Sequence, residues 1–70
     1  MVGEQVRKYL DERGIKYSAV ADAVGMKRPA MYQSLNGNRS FLVDEYYEVC
    51  KFLDVPFDSF IVNDMDKEPR

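Results

Sequence analysis

The chain has 70 residues, 46% hydrophobic and 31% charged, which leaves room for one compact domain; a domain near this size buries only about 60% of its unfolded surface, which argues against a deep substrate cleft. It contains no histidine and one cysteine, Cys50, which removes Ser-His-Asp catalysis, an internal disulfide and a Cys/His zinc framework. The formal net charge of −2 is uneven: residues 1–22 are neutral, residues 23–43 carry Lys27, Arg28 and Arg39 with no acid, and residues 44–70 hold eight acids against three bases.

Val2, Val6, Tyr9 and Leu10 recur at helical spacing, predicting a first helix over residues 3–13 that Gly14 stops, with Ile15 folding back on Leu10. Tyr17, Val20, Ala21 and Val24 predict a short second helix over residues 17–24, ended by Gly25. Ala21 is small where two helices must cross closely, and Met26 follows as a buried plug. Pro29 suits the first turn of a third helix running to Leu35, whose Met31 and Leu35 face the core and leave Arg28, Tyr32 and Gln33 to face elsewhere. Asn36-Gly37 provides its ending.

A fourth helix over residues 43–53 buries Tyr46, Val49, Cys50 and Leu53, with Asp44 and Glu45 near its positive end. Cys50 is expected in the core, as a small thiol without a chemical partner. Asp54 reverses the chain, Pro56 opens a last short helix, and Phe57, Phe60 and Ile61 return to the bundle. The expectation is an all-α fold of five short helices in a domain over residues 1–62, followed by a polar tail over residues 63–70 that frays. Apolar runs reach two or three residues, far below the ~20 needed to cross a bilayer. With no basic or apolar opening to suggest a secretory signal and with a lone thiol, a soluble, cytoplasmic protein is expected.

Two short helices joined by Gly25-Met26-Lys27, with Ala21 at the crossing and a polar face on the second, describe a helix-turn-helix. Residues 14–39, with Ala21, Gly25, Met26 and Asn36-Gly37 in their spacing, resemble the Cro/cI repressor-type family, also called the xenobiotic-response-element family. Residues 45–61 are similar to that family's closing segment. The resemblance implies a compact five-helix lambda-repressor-like DNA-binding domain, its third helix entering the major groove. It implies that Lys27, Arg28, Pro29, Tyr32 and Gln33 face bases; Arg pairs with guanine and Gln with adenine in bidentate fashion. It also implies that Tyr17, Ser18, Asn36, Asn38 and Arg39 touch the DNA backbone, contacts that position rather than specify.

Three departures stand out. Lys16 and Lys27 occupy positions where the family often has small capping residues, for which extra charge toward DNA is the compensation. Ser34-Leu35 replaces a large apolar residue followed by glutamate, and Pro29 replaces a base-facing polar residue. The expected function is a small, non-enzymatic repressor or regulator that binds double-stranded DNA as a homodimer on a palindromic operator, without metal, cofactor, membrane or small-molecule ligand. Phe57, Phe60 or Val62 is the expected dimer surface. The rival expectation is a protein-interaction module on the same bundle. Asp44 and Glu45 are adjacent and diverge on a helix, which makes no acid–base pair.

Overall fold

Residues one helical turn apart share a face, and burying that face is what turns the spacing of Val6 and Leu10 into structure. The computed structural model describes residues 2–61, with α1 at Val2–Arg13, α2 at Tyr17–Val24, α3 at Arg28–Leu35 and α4 at Val43–Leu53. Among the described residues there is no strand, and no helix is long and apolar enough to cross a membrane. Val6 and Leu10 of α1, Val20 and Ala21 of α2, Met31 and Leu35 of α3, and Tyr46, Val49 and Cys50 of α4 form one core; Met26 and Phe60 join it from connecting segments. α2 packs on both α3 and α4, and α1 packs on α3.

All four helices close with a backbone bond reaching five residues back: Ile15 N–H to Leu10 C=O at 2.9 Å, Met26 to Ala21 at 2.9 Å, Asn38 to Gln33 at 2.9 Å and Val55 to Cys50 at 3.1 Å. This is the Schellman ending, which needs a left-handed residue just before the donor. Gly25, at φ 77°, meets that need between α2 and α3 without Cβ crowding. At the end of α4 the same role falls to Asp54, φ 59°, whose short polar side chain tolerates the conformation.

The helix starts are weaker. Lys16 and Lys27 occupy the caps of α2 and α3, and neither side chain makes a capping bond. Such a cap is worth about 1 kcal/mol, less than the roughly 1.5–3 kcal/mol from burying a single Met or Leu side chain. Tertiary burial therefore holds these short helices. α4 has better support, since the Glu45 carboxylate accepts the Leu42 N–H at 2.9 Å.

The expected fifth helix is not formed, and the described residues contain four. Beyond Asp54 the chain winds as turns, in which Ser59 N–H reaches Pro56 C=O at 3.0 Å and Ile61 N–H reaches Asp58 C=O at 3.2 Å. The reason lies in Tyr46. Its hydroxyl donates to Phe57 C=O at 2.5 Å and accepts the Phe60 N–H at 3.3 Å, taking up backbone groups that an α-helix would use for itself. Burial pushes the Tyr46 hydroxyl well above its ordinary pKa, with the Cys50 hydrogen bond adding to the shift, so the donating form persists. Phe60 is 5% exposed and belongs to the core, which corrects its assignment to a dimer surface. Phe57 is exposed and Leu53, in the last turn of α4, is only half-buried, which corrects their expected place in the core, while Val62 and the frayed tail expected over residues 63–70 lie outside the described residues.

α1 and α3 approach closely at one point. A Cβ on Gly3 would stand 1.9 Å from the Ser34 carbonyl oxygen, so the usual preference for alanine over glycine in a helix, about 1 kcal/mol, is reversed here. Gly3→Ala is expected to lower stability by about 1–3 kcal/mol, the usual range for overpacking. Chemical denaturation checks this; an unchanged or raised midpoint would contradict the close approach. Tyr46→Phe keeps the ring but removes the acceptor of the Phe60 N–H and leaves the Phe57 C=O only the weak Cys50 thiol donor at 3.9 Å. The same assay should show a loss of about 1–3 kcal/mol, with the Phe60 amide exchanging faster with solvent.

Candidate nucleic-acid interface

Seven of the eight residues of α3 divide by depth, with Ala30 half-buried between the two sides. Met31, Ser34 and Leu35 are fully buried, whereas Arg28, Pro29, Tyr32 and Gln33 are exposed, as is Lys27 at the cap. The division follows the helical repeat, because Met31, Ser34 and Leu35 are three and four residues apart and share one face. All five residues expected to face bases therefore lie on solvent-accessible positions in one stretch of chain.

Two of the three cations in the acid-free stretch are paired by acids from just outside it. The Arg28 guanidinium donates through Nε to Asp22 Oδ1 at 3.2 Å and through Nη2 to Asp22 Oδ2 at 2.7 Å. The hydrogen bond to Arg28 lowers the Asp22 pKa, and the same bond raises that of Arg28. Both side chains remain more than half exposed, 57% and 56%, so the pair orients more than it stabilises.

Arg39 is held more deeply. Its Nη1 donates to Ser34 Oγ and Glu45 Oε1, each at 2.9 Å, and its Nη2 donates to Glu45 Oε2 at 2.9 Å. Since Glu45 also caps α4 through Leu42, Arg39 ties the buried end of α3 to the start of α4. Ser34, unusual as a fully buried polar side chain, has its partner in this bridge. Of the backbone-contact candidates, Arg39 is thus engaged by internal partners, while Asn36 and Asn38 are exposed in the loop after α3.

Tyr17 and Ser18, half-buried, open α2 beside this surface. The first turn of a helix leaves N–H groups without partners inside the helix, and Lys16 contributes charge instead of a cap. The Tyr17 hydroxyl donates to Asp11 Oδ1 at 2.5 Å, and that bond, ahead of burial, raises its pKa. The Tyr17 and Tyr32 rings meet edge-on with centroids 6.2 Å apart. Together with Ile15, Lys16, Ser18 and Asn36 they line a concavity of about 520 Å³ between the start of α2 and the end of α3.

Arg7 has no place in the motif but reaches this edge from α1, its Nη1 donating to Asn36 Oδ1 at 3.1 Å. Nothing in the sequence marks it, because α1 balances its acids and bases. Asp22 was equally hidden, since the pairing with Arg28 six residues later crosses a turn and follows no helical period. The surface combines exposed hydrogen-bonding side chains, helix starts without side-chain caps and cations from three segments. Among known proteins, no family model, no curated protein and no solved structure matches the chain.

The Arg39 bridge makes stability depend on pH. The hydrogen bond from Arg39 holds the Glu45 carboxyl below its ordinary 4.5, against an opposing effect of burial and with help from the Leu42 N–H. A carboxyl whose pKa falls on folding stabilises the native state above its unfolded pKa, and that contribution disappears as pH drops through the folded value. Stability is therefore expected to decline below pH 4.5. Urea midpoints between pH 6 and pH 3 should fall less steeply in Glu45→Gln, which lowers stability at neutral pH; parallel curves for the two proteins would contradict the linkage.

Proposed function

We propose that the chain is a small regulator that binds double-stranded DNA in a sequence-specific manner, with α2 and α3 acting as a Cro/cI-type helix-turn-helix. In this function α3 enters the major groove, where Arg28 and Gln33 read base edges and Lys27 and Tyr32 supply neighbouring contacts. Pro29 offers no hydrogen-bond donor and leaves more of the reading to its neighbours. Ser18, Asn36 and Asn38 meet phosphates, and Tyr17 does so through its backbone N–H at the start of α2, since its hydroxyl is given to Asp11, with Lys16 and Arg7 adding charge. The observation that carries this function is the two-sidedness of α3: one face is wholly buried and the other exposes only residues able to bind or pack against a groove.

Binding by one such domain covers few base pairs, so a homodimer on a palindrome, with half-sites about 34 Å apart, is the form proposed. Phe57, 43% exposed, remains the candidate from the closing segment for the dimer contact. A second reading, a protein-interaction module, draws support from the pairing of Arg28 and Arg39 and from exposed Tyr47 and Phe52 on α4. Salt separates the two.

Duplex affinity of the dimer should fall by about 10⁴-fold between 50 and 200 mM salt if each protomer neutralises about four phosphates. Arg28→Ala and Gln33→Ala should each relax selection at one base position by about 1–3 kcal/mol, whereas Lys16→Ala should weaken all sequences alike. Selection from random duplexes at low salt tests this directly. No enrichment of any sequence would sink the regulator and leave the interaction module.

A further inference from the structure

The Arg28–Asp22 pair leaves a particular part of the guanidinium open. An arginine side chain carries five N–H donors in a planar fork. Asp22 takes the Nε–H and one Nη2–H, in a side-on arrangement with both carboxylate oxygens engaged. What remains is the outer edge, two hydrogens on Nη1 and one on Nη2, which presents two parallel donors away from the carboxylate. Guanine is the base that offers two acceptors, O6 and N7, side by side in the major groove; adenine offers one acceptor beside a donor.

Arg28 is also the first residue of α3, and Pro29 directly after it has a fixed φ and no N–H. The base of this arginine is therefore stiff, but its side chain is 57% exposed and would otherwise sample many rotamers. Asp22 projects from α2, whose neighbouring Val20 and Ala21 are fully buried in the core. The carboxylate is thus anchored to the rigid part of the fold.

We propose that Asp22 is a positioning residue that presents the outer edge of Arg28 to one guanine per half-site, so that a carboxylate outside the recognition helix sets specificity at that position. The inference rests on the DNA-binding function above. It separates from simple electrostatics by sign. An acid near DNA repels phosphate, so removing it as a mere surface charge tightens binding to every sequence and leaves preferences unchanged. Removing it as a positioning residue frees Arg28 and erodes one preference.

The test is selection of bound sequences from random duplexes, with competition titrations on the selected site and on a site lacking the guanine. It compares the wild-type protein with Asp22→Asn, Asp22→Ala and Arg28→Lys. The wild type is expected to prefer guanine at one half-site position within the about 5- to 150-fold range of a bidentate contact. Both Asp22 variants should lose most of that preference, with affinity for the guanine-free site unchanged or higher. Arg28→Lys, which keeps the charge but not the fork, should lose the same preference. Thermal unfolding of each variant verifies that it is folded, and two replacements at the exposed Asp22 guard against one failing. If the Asp22 variants keep the guanine preference that Arg28→Lys abolishes, the positioning role is overturned while DNA binding stands. If the wild type selects no duplex, both are overturned.

Discussion

An eight-residue helix without a side-chain cap does not persist in water, because nucleation is unfavourable and helices shorter than about 12–15 residues are marginal. α3 is such a helix, so its existence and its orientation both depend on the burial of Met31, Ser34 and Leu35. That burial does two things at once. It stabilises the helix, and by fixing which side faces inward it fixes which side faces out. The exposed set of Arg28, Pro29, Tyr32 and Gln33 is the complement of a packing decision.

The packing partners of α3 explain how so small a fold keeps this element still. At its far end the Ser34 hydroxyl receives Arg39, which is shared with Glu45, which in turn caps α4. The Ser34 carbonyl lies against Gly3 of α1 with no room for a methyl group. At its near end Met26 enters the core and Asp22 grips Arg28. α3 is therefore braced from α1, α2 and α4 by contacts outside its own length. In a chain too short for a large core, these polar braces supplement an apolar cluster of eleven buried residues among those described.

Much of this was legible in the sequence. The bounds of α2 and α4 and most core positions follow from apolar spacing that stops at Gly25 and Asp54, because burial and the left-handed ending are local requirements written in residue type; Leu53 and Phe57 depart from it, the one half-buried and the other exposed. The pairing of the cations was not legible. Asp22 and Glu45 flank the acid-free stretch in sequence, and only the turns of the fold bring them back onto Arg28 and Arg39. The turns over residues 56–61 carry a helical pattern in sequence for a similar reason, since the hydroxyl that claims their backbone belongs to Tyr46, more than ten residues earlier. Gly3 gave no sign either, because its constraint is a carbonyl thirty-one residues away.

The central claim is that the outward side of α3, with the start of α2, is the surface that meets DNA. Amide chemical shifts of the labelled protein, followed while a short duplex is added at low salt, test it most directly. The account predicts changes concentrated at residues 16–18, 27–33 and 36–38, reversed by added salt. Changes confined to α4 around Tyr47 and Phe52, or none at any duplex concentration, would contradict it.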